Sequence, residues 1–273
     1  MPTSTDISLP GVQSGQGTAR RWATPRTIMA LILREMSTRY GRSPGGYVWA
    51  VLEPLGAILI LSFGFSLLVR APSLGNSFLL FYASAYLPFN LYQSLSLTVS
   101  RTLSFSRPLL MYPVVTWVDA VLARFILNTL TGLLVTYLLM VGILAFTETR
   151  VVLETGPLAR AMGLAALLGL GVGTLNCALG GLFPTYEIIW SIATRPLFIV
   201  SGIFYVLEDM PPNIRDLLWY NPLIHITGQM RAGIFPTYKP LYVSDLYVLG
   251  ISLTCLLLGL ILMGRYHRDI LNN

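Results

Sequence analysis

The sequence predicts an all-α membrane protein, and this prediction rests on the composition, charge and hydropathy of the whole chain. Hydrophobic residues make up 54% of the 273 residues, whereas Asp, Glu, Lys and Arg together make up 11%. A soluble domain has about a quarter charged residues. The mean hydropathy is +0.67, as expected for a polytopic membrane protein. The net charge is +6, and many of the arginines lie beside apolar stretches. This placement favours a role of the positive charge in membrane topology over a role in nucleic-acid binding.

Six apolar stretches are candidates for membrane spans, because a spanning helix needs roughly 20 apolar residues. They cover residues 48–69, 78–98, 118–146, 161–182, 186–206 and 246–264. An even number of spans places both termini on one side of the membrane. Arginines concentrate in the N-terminal segment, in the loop after the second span and at the C-terminus. The positive-inside bias therefore predicts that both termini are cytoplasmic.

Two regions precede the first span. Residues 1–23 are rich in Ser, Thr, Gly and Gln and predict a disordered cytoplasmic tail, which leaves 24–273 as a single transmembrane domain. Residues 25–42 place apolar side chains on one helical face and arginines on another, which predicts an amphipathic helix in the cytoplasmic interface. This helix is either a membrane anchor or a docking surface for a cytoplasmic partner.

The segment 207–242, between the fifth and sixth spans, carries apolar residues at helical spacing and is divided by Asn221-Pro222. Neither half is long enough to cross a bilayer. The pattern favours two short re-entrant helices on the periplasmic side over an ordinary extracytoplasmic loop. In the fourth span, Gly169 and Gly173 form a GxxxG pair preceded by Ala165, and this pattern predicts close helix packing.

The sequence lacks the residues that several kinds of chemistry need. The single lysine, Lys239, lies in PTYKP and cannot belong to a GxxxxGK[ST] nucleotide-binding loop, so any ATP hydrolysis must come from another subunit. Only two histidines occur, His225 and His267, and no HExxH motif is present. An integral-membrane enzyme and a metal site are therefore disfavoured.

Charged residues inside the apolar stretches are functional candidates by default. They are Glu53, Arg124, Glu187 and Arg195. Glu53 and Arg195 either form a pair or line a path for a hydrated solute. A proton-coupled carrier, which would use such carboxylates as relays, stays an alternative. Aromatic residues of the fifth span serve either core packing or stacking on sugar rings.

Two segments resemble the signatures of ABC-2 type export permeases. Residues 34–54, REMSTRYGRSPGGYVWAVLEP, resemble the N-terminal signature, and residues 195–238 resemble the second. The matching positions of the second are Pro196, Leu197, Ser201, Gly202, Pro211, Asn221, Pro222, Leu223 and Arg231. Within the family, the chain is most similar to permeases that export capsular polysaccharide in Gram-negative bacteria, with O-antigen permeases as close relatives.

The resemblance implies a type V exporter-like fold with six spans per subunit. It also implies a homodimer in the bacterial inner membrane with a channel between the two permeases. Two cytoplasmic ATPase subunits would bind ATP and Mg, with no cofactor in this chain. The substrate would be a lipid-linked capsular polysaccharide, passed on to a periplasmic adaptor and an outer-membrane export protein. Export of O-antigen or teichoic acid is the alternative within the same class.

The resemblance also implies roles for particular residues. Candidates for the substrate channel are Glu53, Trp190, Arg195, Phe198, Phe204 and Tyr205. Candidates for the periplasmic gate are Trp219, Tyr220, Asn221, Pro222, His225 and Arg231. Candidates for coupling to the ATPase are Arg34, Arg39, Tyr40, Arg42, Arg101 and Arg107.

Overall fold

The computed structural model describes residues 23–40, 45–110, 115–147 and 152–272. The predicted disordered tail, apart from Ala23, lies outside the described residues, as does Arg42. The side chains of Arg39 and Tyr40 also lie outside them, so the predicted coupling roles of these residues stay predictions.

The described part of the chain consists of α-helices joined by short connections and contains no β-strand, which confirms the all-α prediction. The helices are α1 Ala23–Tyr40, α2 Gly46–Leu68, α3 Phe78–Ser100, α4 Thr102–Leu110, α5 Trp117–Phe146, α6 Thr155–Leu182, α7 Pro184–Thr194, α8 Leu197–Val200, α9 Pro212–Trp219, α10 Pro222–Ile234 and α11 Asp245–Asn272. A 3₁₀ turn covers Leu207–Asp209.

Four of the described helices are long and apolar enough to cross a membrane, namely α2, α5, α6 and α11. They correspond to the first, third, fourth and sixth predicted spans. The second predicted span forms α3, which has 23 residues but is not among these four helices. The crossing of the membrane by α3 and by the fifth segment therefore stays a prediction.

The fifth apolar segment is not the single helix that its hydropathy suggests, and the prediction of one helix over 186–206 is wrong. Helix α7 ends at Thr194, and α8 ends at Val200. Pro196 has no backbone N–H to continue the helical hydrogen bonds. Gly202 then adopts a φ of 74°, a left-handed conformation that favours glycine. The chain therefore turns after α8, and residues 200–205 lie against α10.

Helix α6 lies at the centre of the bundle and packs against α3, α10 and α11. Its two GxxxG glycines face α3 at very short range. A Cβ atom at Gly169 would lie 2.8 Å from the Leu95 Cβ, and one at Gly173 would lie 2.7 Å from the Val99 Cβ. The predicted close packing is confirmed, and it occurs between two helices of the same chain.

The segment between the fifth and sixth apolar stretches forms two short helices, as its sequence predicts. Asn221 separates them, because its side-chain oxygen accepts a hydrogen bond from the Leu223 N–H and Pro222 occupies the first helical position. Helix α9 is exposed along most of its length, whereas α10 is buried against α3, α6 and α11. The depth of both helices in the membrane stays a prediction.

Helix α1 covers most of the segment 25–42 and packs mainly against α5. The amphipathic character of this helix stays a prediction. Ile28 and Ile32 are half-buried, but Met36 is exposed. The most buried side chain described on this helix is the carboxylate of Glu35. The position of α1 in the membrane interface stays a prediction.

Candidate functional site

A cavity of about 700 Å³ lies between α3 and α7, and α2, α6 and α8 complete its walls. Its lining is rich in hydroxyl, amide and charged side chains. The polar members are Tyr86, Tyr92, Gln93, Ser96, Ser100, Arg101, Asn176, Tyr186, Glu187, Ser191, Thr194 and Arg195. Polar groups within an apolar helical bundle usually mark a path for a hydrated solute, because they are costly to keep away from water.

The wall formed by α3 is one continuous face of the helix. Its lining residues recur at intervals of three and four, and these are Gln93, Ser96, Leu97, Ser100 and Arg101. Tyr86 extends the same wall towards the start of the helix. From Tyr86 to Arg101 the helix rises about 22 Å at roughly 1.5 Å per residue. The wall is therefore long enough to cover most of a hydrocarbon core about 30 Å thick.

The wall formed by α7 is anchored to α6 by a polar contact. The Tyr186 hydroxyl donates to the side-chain oxygen of Asn176 at 2.7 Å. The Tyr186 ring stacks on Trp190, with the ring centroids 6.0 Å apart and an angle of 18° between the planes. Both rings line the cavity, so they present a fixed aromatic surface to its contents.

The cavity has a positive balance of charge. Arg101 and Arg195 contribute two guanidinium groups, and Glu187 contributes one carboxylate. None of the three takes part in the ion pairs within 4.0 Å that occur among the described residues. The lining is therefore suited to an anionic or strongly hydrated solute.

Aromatic rings gather at the end of the cavity that lies away from Arg101. This aromatic cluster consists of Phe65, Tyr82, Tyr86, Phe89, Phe198 and Phe204. Phe198 is central to it, because its ring centroid lies 6.2 Å from Tyr86, 5.5 Å from Phe89 and 5.2 Å from Phe204. Phe204 in turn contacts Phe65 and Tyr82. The cluster therefore connects the cavity-lining rings of Tyr86, Phe89 and Phe198 to Phe204.

Asn221, which caps the start of α10, and two side chains of α10 hold residues 200–205 in place. Asn221 donates to the Val200 carbonyl at 3.0 Å, and Thr227 donates to the Ser201 carbonyl at 3.1 Å. Arg231 reaches furthest, and its guanidinium donates to the carbonyls of Tyr205 at 2.7 Å and Ile203 at 3.2 Å. These bonds fix the backbone that carries Phe204.

Arg231 is almost completely buried without a carboxylate partner among the ion pairs of the described residues. Its guanidinium lies 4.3 Å from the centre of the Phe81 ring. Burial lowers the pKa of Arg231 to about 10. The side chain therefore stays protonated at neutral pH and keeps its donors directed at the two carbonyls.

His225 is a structural tie within this region. Its Nδ1 accepts a hydrogen bond from the Ser244 N–H at 3.2 Å, so Nε2 carries the ring hydrogen and donates to the Trp219 carbonyl at 2.8 Å. Burial lowers the pKa of His225 below its ordinary value. The neutral ring therefore joins the end of α9 to the start of α11.

Comparison with known proteins places the cavity in a family context. Residues 26–235 match the family described as ABC-2 type transporter. The chain belongs to this family. This match includes α3, α7 and α10, so the cavity and the helix that holds its aromatic end lie within the family domain.

The ABC-2 chain is also similar to three characterised relatives over most of its length. It is 31% identical to the polysialic acid transport protein KpsM of Escherichia coli over 236 residues, which are 86% of this chain and 92% of the relative. It is 26% identical to the capsule polysaccharide export inner-membrane protein CtrC of Neisseria meningitidis serogroup B over 90% of this chain and 92% of the relative. It is 25% identical to the corresponding protein BexB of Haemophilus influenzae over the same shares.

The predicted channel residues of this ABC-2 chain occupy three places. Trp190, Arg195 and Phe198 line the cavity. Phe204 lies in the aromatic cluster behind Phe198, and Tyr205 is half-buried where its carbonyl accepts from Arg231. Glu53 is not among the lining residues.

Glu53 is exposed on the outer face of α2 and is absent from the cavity lining. It forms none of the ion pairs within 4.0 Å found among the described residues. Within this chain, the suggested pair of Glu53 and Arg195 is therefore not formed.

The predicted gate residues lie together at the junction of α9, α10 and α11. The Trp219 indole donates to the Tyr242 carbonyl at 3.1 Å, and the Tyr247 hydroxyl donates to the Tyr220 carbonyl at 2.8 Å. Asn221 and Pro222 start α10, and His225 and Arg231 point into its packed surroundings. Whether this assembly opens and closes stays a prediction.

The predicted coupling residues that the structure describes are dispersed. Arg34 is half-buried, with its guanidinium 5.9 Å from the centre of the Phe105 ring. Arg107 is exposed on α4. Arg101 lines the cavity, so it is placed to contact a solute as well as a partner.

Sequence reasoning missed several polar residues of the cavity. Gln93, Ser96 and Ser100 share one face of α3. Their spacing of three and four residues within an apolar stretch indicates a helix face in contact with water, and it could have identified them. Asn176 and Tyr186 come from separate helices, and only the fold shows that they meet. Glu35 was also missed, because its burial depends on a partner 89 residues away in the chain.

Proposed function

We propose that this chain is the transmembrane subunit of an ATP-driven exporter, and that it moves lipid-linked capsular polysaccharide across the inner membrane. The observation that carries the proposal is the polar cavity between α3 and α7. It lies in an ABC-2 chain whose relatives are described as polysialic acid transport or capsule polysaccharide export proteins. A hydrated polymer needs such a lining to pass through an apolar bundle.

Homodimerisation is supported by the outer face of α2. Trp49, Ile60 and Phe63 on this helix are 62%, 74% and 69% exposed, and the carboxylate of Glu53 is exposed on the same helix. A carboxylate facing lipid is costly. A second copy packed against this face would cover the apolar residues and place Glu53 in a shared, hydrated channel.

The chemistry of the lining supports an acidic glycan as substrate. Polysialic acid, which one relative is described as transporting, carries a carboxylate on each sugar. Arg101 and Arg195 attract such groups, and the stacked Tyr186 and Trp190 rings offer an apolar surface to the C–H faces of sugars. Aromatic contacts of this kind do not require one fixed register, so a polymer can slide past them.

ATP and Mg would be bound by two cytoplasmic ATPase subunits, since this chain has no lysine in a phosphate-binding loop. The exposed Arg107 on α4 and the arginines of α1 would contact those subunits. A periplasmic adaptor and an outer-membrane export protein would receive the polymer beyond the aromatic cluster and α10. Both termini are proposed to be cytoplasmic.

The first test is to purify a tagged copy from its native membrane in mild detergent and to identify what remains bound. We expect a soluble P-loop ATPase in a 1:1 ratio to this chain. Its absence in several detergents would contradict the proposal and favour a proton-coupled carrier, for which Glu53 would be the first residue to replace. The glycan that remains bound would separate capsule export from export of O-antigen or teichoic acid.

The role of the cavity can be tested separately with Arg195→Ala. We expect surface polymer to fall about tenfold, because one lost charged contact contributes roughly 1.5 kcal/mol or more. Arg215→Ala is the matched control, because Arg215 is exposed on α9 and lies outside the cavity. Equal export by both variants, at equal protein levels, would remove Arg195 from the mechanism.

A further inference from the structure

A buried ion pair joins α1 to α5. The Arg124 Nε lies 3.3 Å from the Glu35 carboxylate, and the two residues are 7% and 5% exposed. The other ion pair among the described residues, Arg160 with Asp245, has the same separation, but its side chains are 59% and 36% exposed. Burying two charges is costly unless their geometry is well satisfied. The Glu35 pair therefore requires one particular arrangement of α1 on α5.

The same guanidinium contacts two more helices. Its Nη1 donates to the Thr98 carbonyl of α3 at 2.8 Å. Its central carbon lies 4.1 Å from the centre of the Phe105 ring of α4. Arg124 thus connects α1, α3 and α4 from its position on α5. A planar group with several fixed donors suits this task, because each donor constrains a different neighbour.

The contact with Thr98 leads directly to the cavity. Thr98 lies next to Leu97 and two residues before Ser100, and both of these line the cavity. The Thr98 carbonyl is therefore part of the last turns of the α3 wall. A shift of α1 or α4 relative to α5 would change the surroundings of Arg124 and, through the Thr98 bond, the cytoplasmic end of this wall.

We propose that Glu35 and Arg124 are positioning residues that transmit movement of α1 and α4 to the cytoplasmic end of the cavity. The inference rests on the proposed function, in which an ATPase docks on α1 and α4. Interfaces built on packed, charged contacts switch between discrete arrangements instead of deforming gradually. The ion pair would hold α1, α4 and the α3 wall together as one moving unit.

The test needs a readout at the cavity that does not depend on knowing the polymer. Ser100→Cys, in a background where Cys177 and Cys255 are replaced by Ala, places one reactive thiol on the cavity wall. The rate of its labelling by a small maleimide is measured in the purified permease–ATPase complex, with and without ATP and Mg. We expect nucleotide to change this rate when the ion pair is intact.

Two variants then break the pair with little change in shape. With Glu35→Gln or Arg124→Gln, we expect the nucleotide-dependent change in labelling rate to fall about tenfold. We also expect ATP hydrolysis by the assembled complex to stay within about twofold of its original rate, since the ATPase subunits are unaltered. Because the two residues act as one unit, the double variant should be no worse than the more severe single variant. Arg160→Gln is the matched control for an exposed pair of equal length.

Each of the remaining outcomes contradicts either the inference or the proposed function. An undiminished nucleotide response in Glu35→Gln would overturn the inference, and this conservative variant decides the matter if Arg124→Gln does not fold. A lower yield of complex with a normal response per complex would show a purely structural anchor. The inference is also overturned if the complex with the intact ion pair binds the ATPase but nucleotide does not change the labelling rate at Ser100→Cys. Absence of a bound ATPase would instead refute the proposed function itself.

Discussion

Replacing Arg231 by methionine tests how the aromatic end of the cavity is held. Methionine keeps a long unbranched side chain but has no donors. The variant loses the hydrogen bonds to the carbonyls of Tyr205 and Ile203 and the contact with the Phe81 ring. The two carbonyls remain buried without these partners.

The size of the effect follows from those contacts. Each hydrogen bond from a charged donor contributes about 1.5–3 kcal/mol, and a buried cation over an aromatic ring contributes about 2 kcal/mol. Methionine also relieves the burial of a cation whose Nε has no hydrogen-bond partner, and this offsets part of the loss. We expect the free energy of unfolding to fall by about 3 kcal/mol, which lowers the thermal midpoint by about 6–12 °C in a chain of this size.

Thermal unfolding in detergent measures this change, with Arg215→Met on the exposed α9 as the matched control. Arg231→Lys should lose about half as much, because one ammonium cannot reach both carbonyls in the same geometry. In liposomes, Arg231→Met should also leak small anions without ATP, since the backbone that carries Phe204 is loosened. A midpoint within about 2 °C of the Arg215→Met control would refute the reasoning that these bonds hold residues 201–205.

Two further predictions concern helix packing and pH. Gly173→Ala should destabilise the protein by about 1–3 kcal/mol, because its Cβ would lie 2.7 Å from the Val99 Cβ. Gly163 lies on the same helix with open space around it, so Gly163→Ala should be neutral or slightly stabilising. Equal thermal midpoints for the two variants would contradict the close packing at Gly173. For His225, burial lowers the pKa of the folded state, so the unfolded state binds more protons and stability falls as the pH drops below 6.5. His225→Gln should flatten the midpoint-against-pH curve between pH 7.5 and about 5.5, and a curve as steep as that of the unaltered protein would contradict this reasoning.

Local patterns in the sequence account for much of the fold. The lengths of the apolar stretches predicted four helices that the structure shows to be long and apolar enough to cross a membrane. Asn221-Pro222 correctly predicted the break between the two short helices before α11. The GxxxG pair correctly predicted close helix packing, because the absence of a Cβ atom is a local property that acts wherever two helices meet. The partner of that pair, α3, was not deducible from the spacing alone.

The fifth apolar segment shows where hydropathy fails. Hydropathy averages over residues and does not register that Pro196 interrupts the helix or that Gly202 turns the chain. The suggested pair of Glu53 and Arg195 is not formed within this chain for a related reason. Glu53 and Arg195 have similar depth in their segments, but depth does not say which way a side chain faces around the helix.

The sequence by itself determined that this protein is helical, that it enters a membrane and that it carries no nucleotide-binding lysine, because these depend on composition and on short spacings. Tertiary structure decided which polar residues meet. The face of α3 becomes a cavity wall only because α7 packs opposite it and Asn176 anchors Tyr186. Glu35 and Arg124 become one site only because α1 folds back on α5. Such contacts arise between residues far apart in the chain, and no local pattern encodes the packing that brings them together.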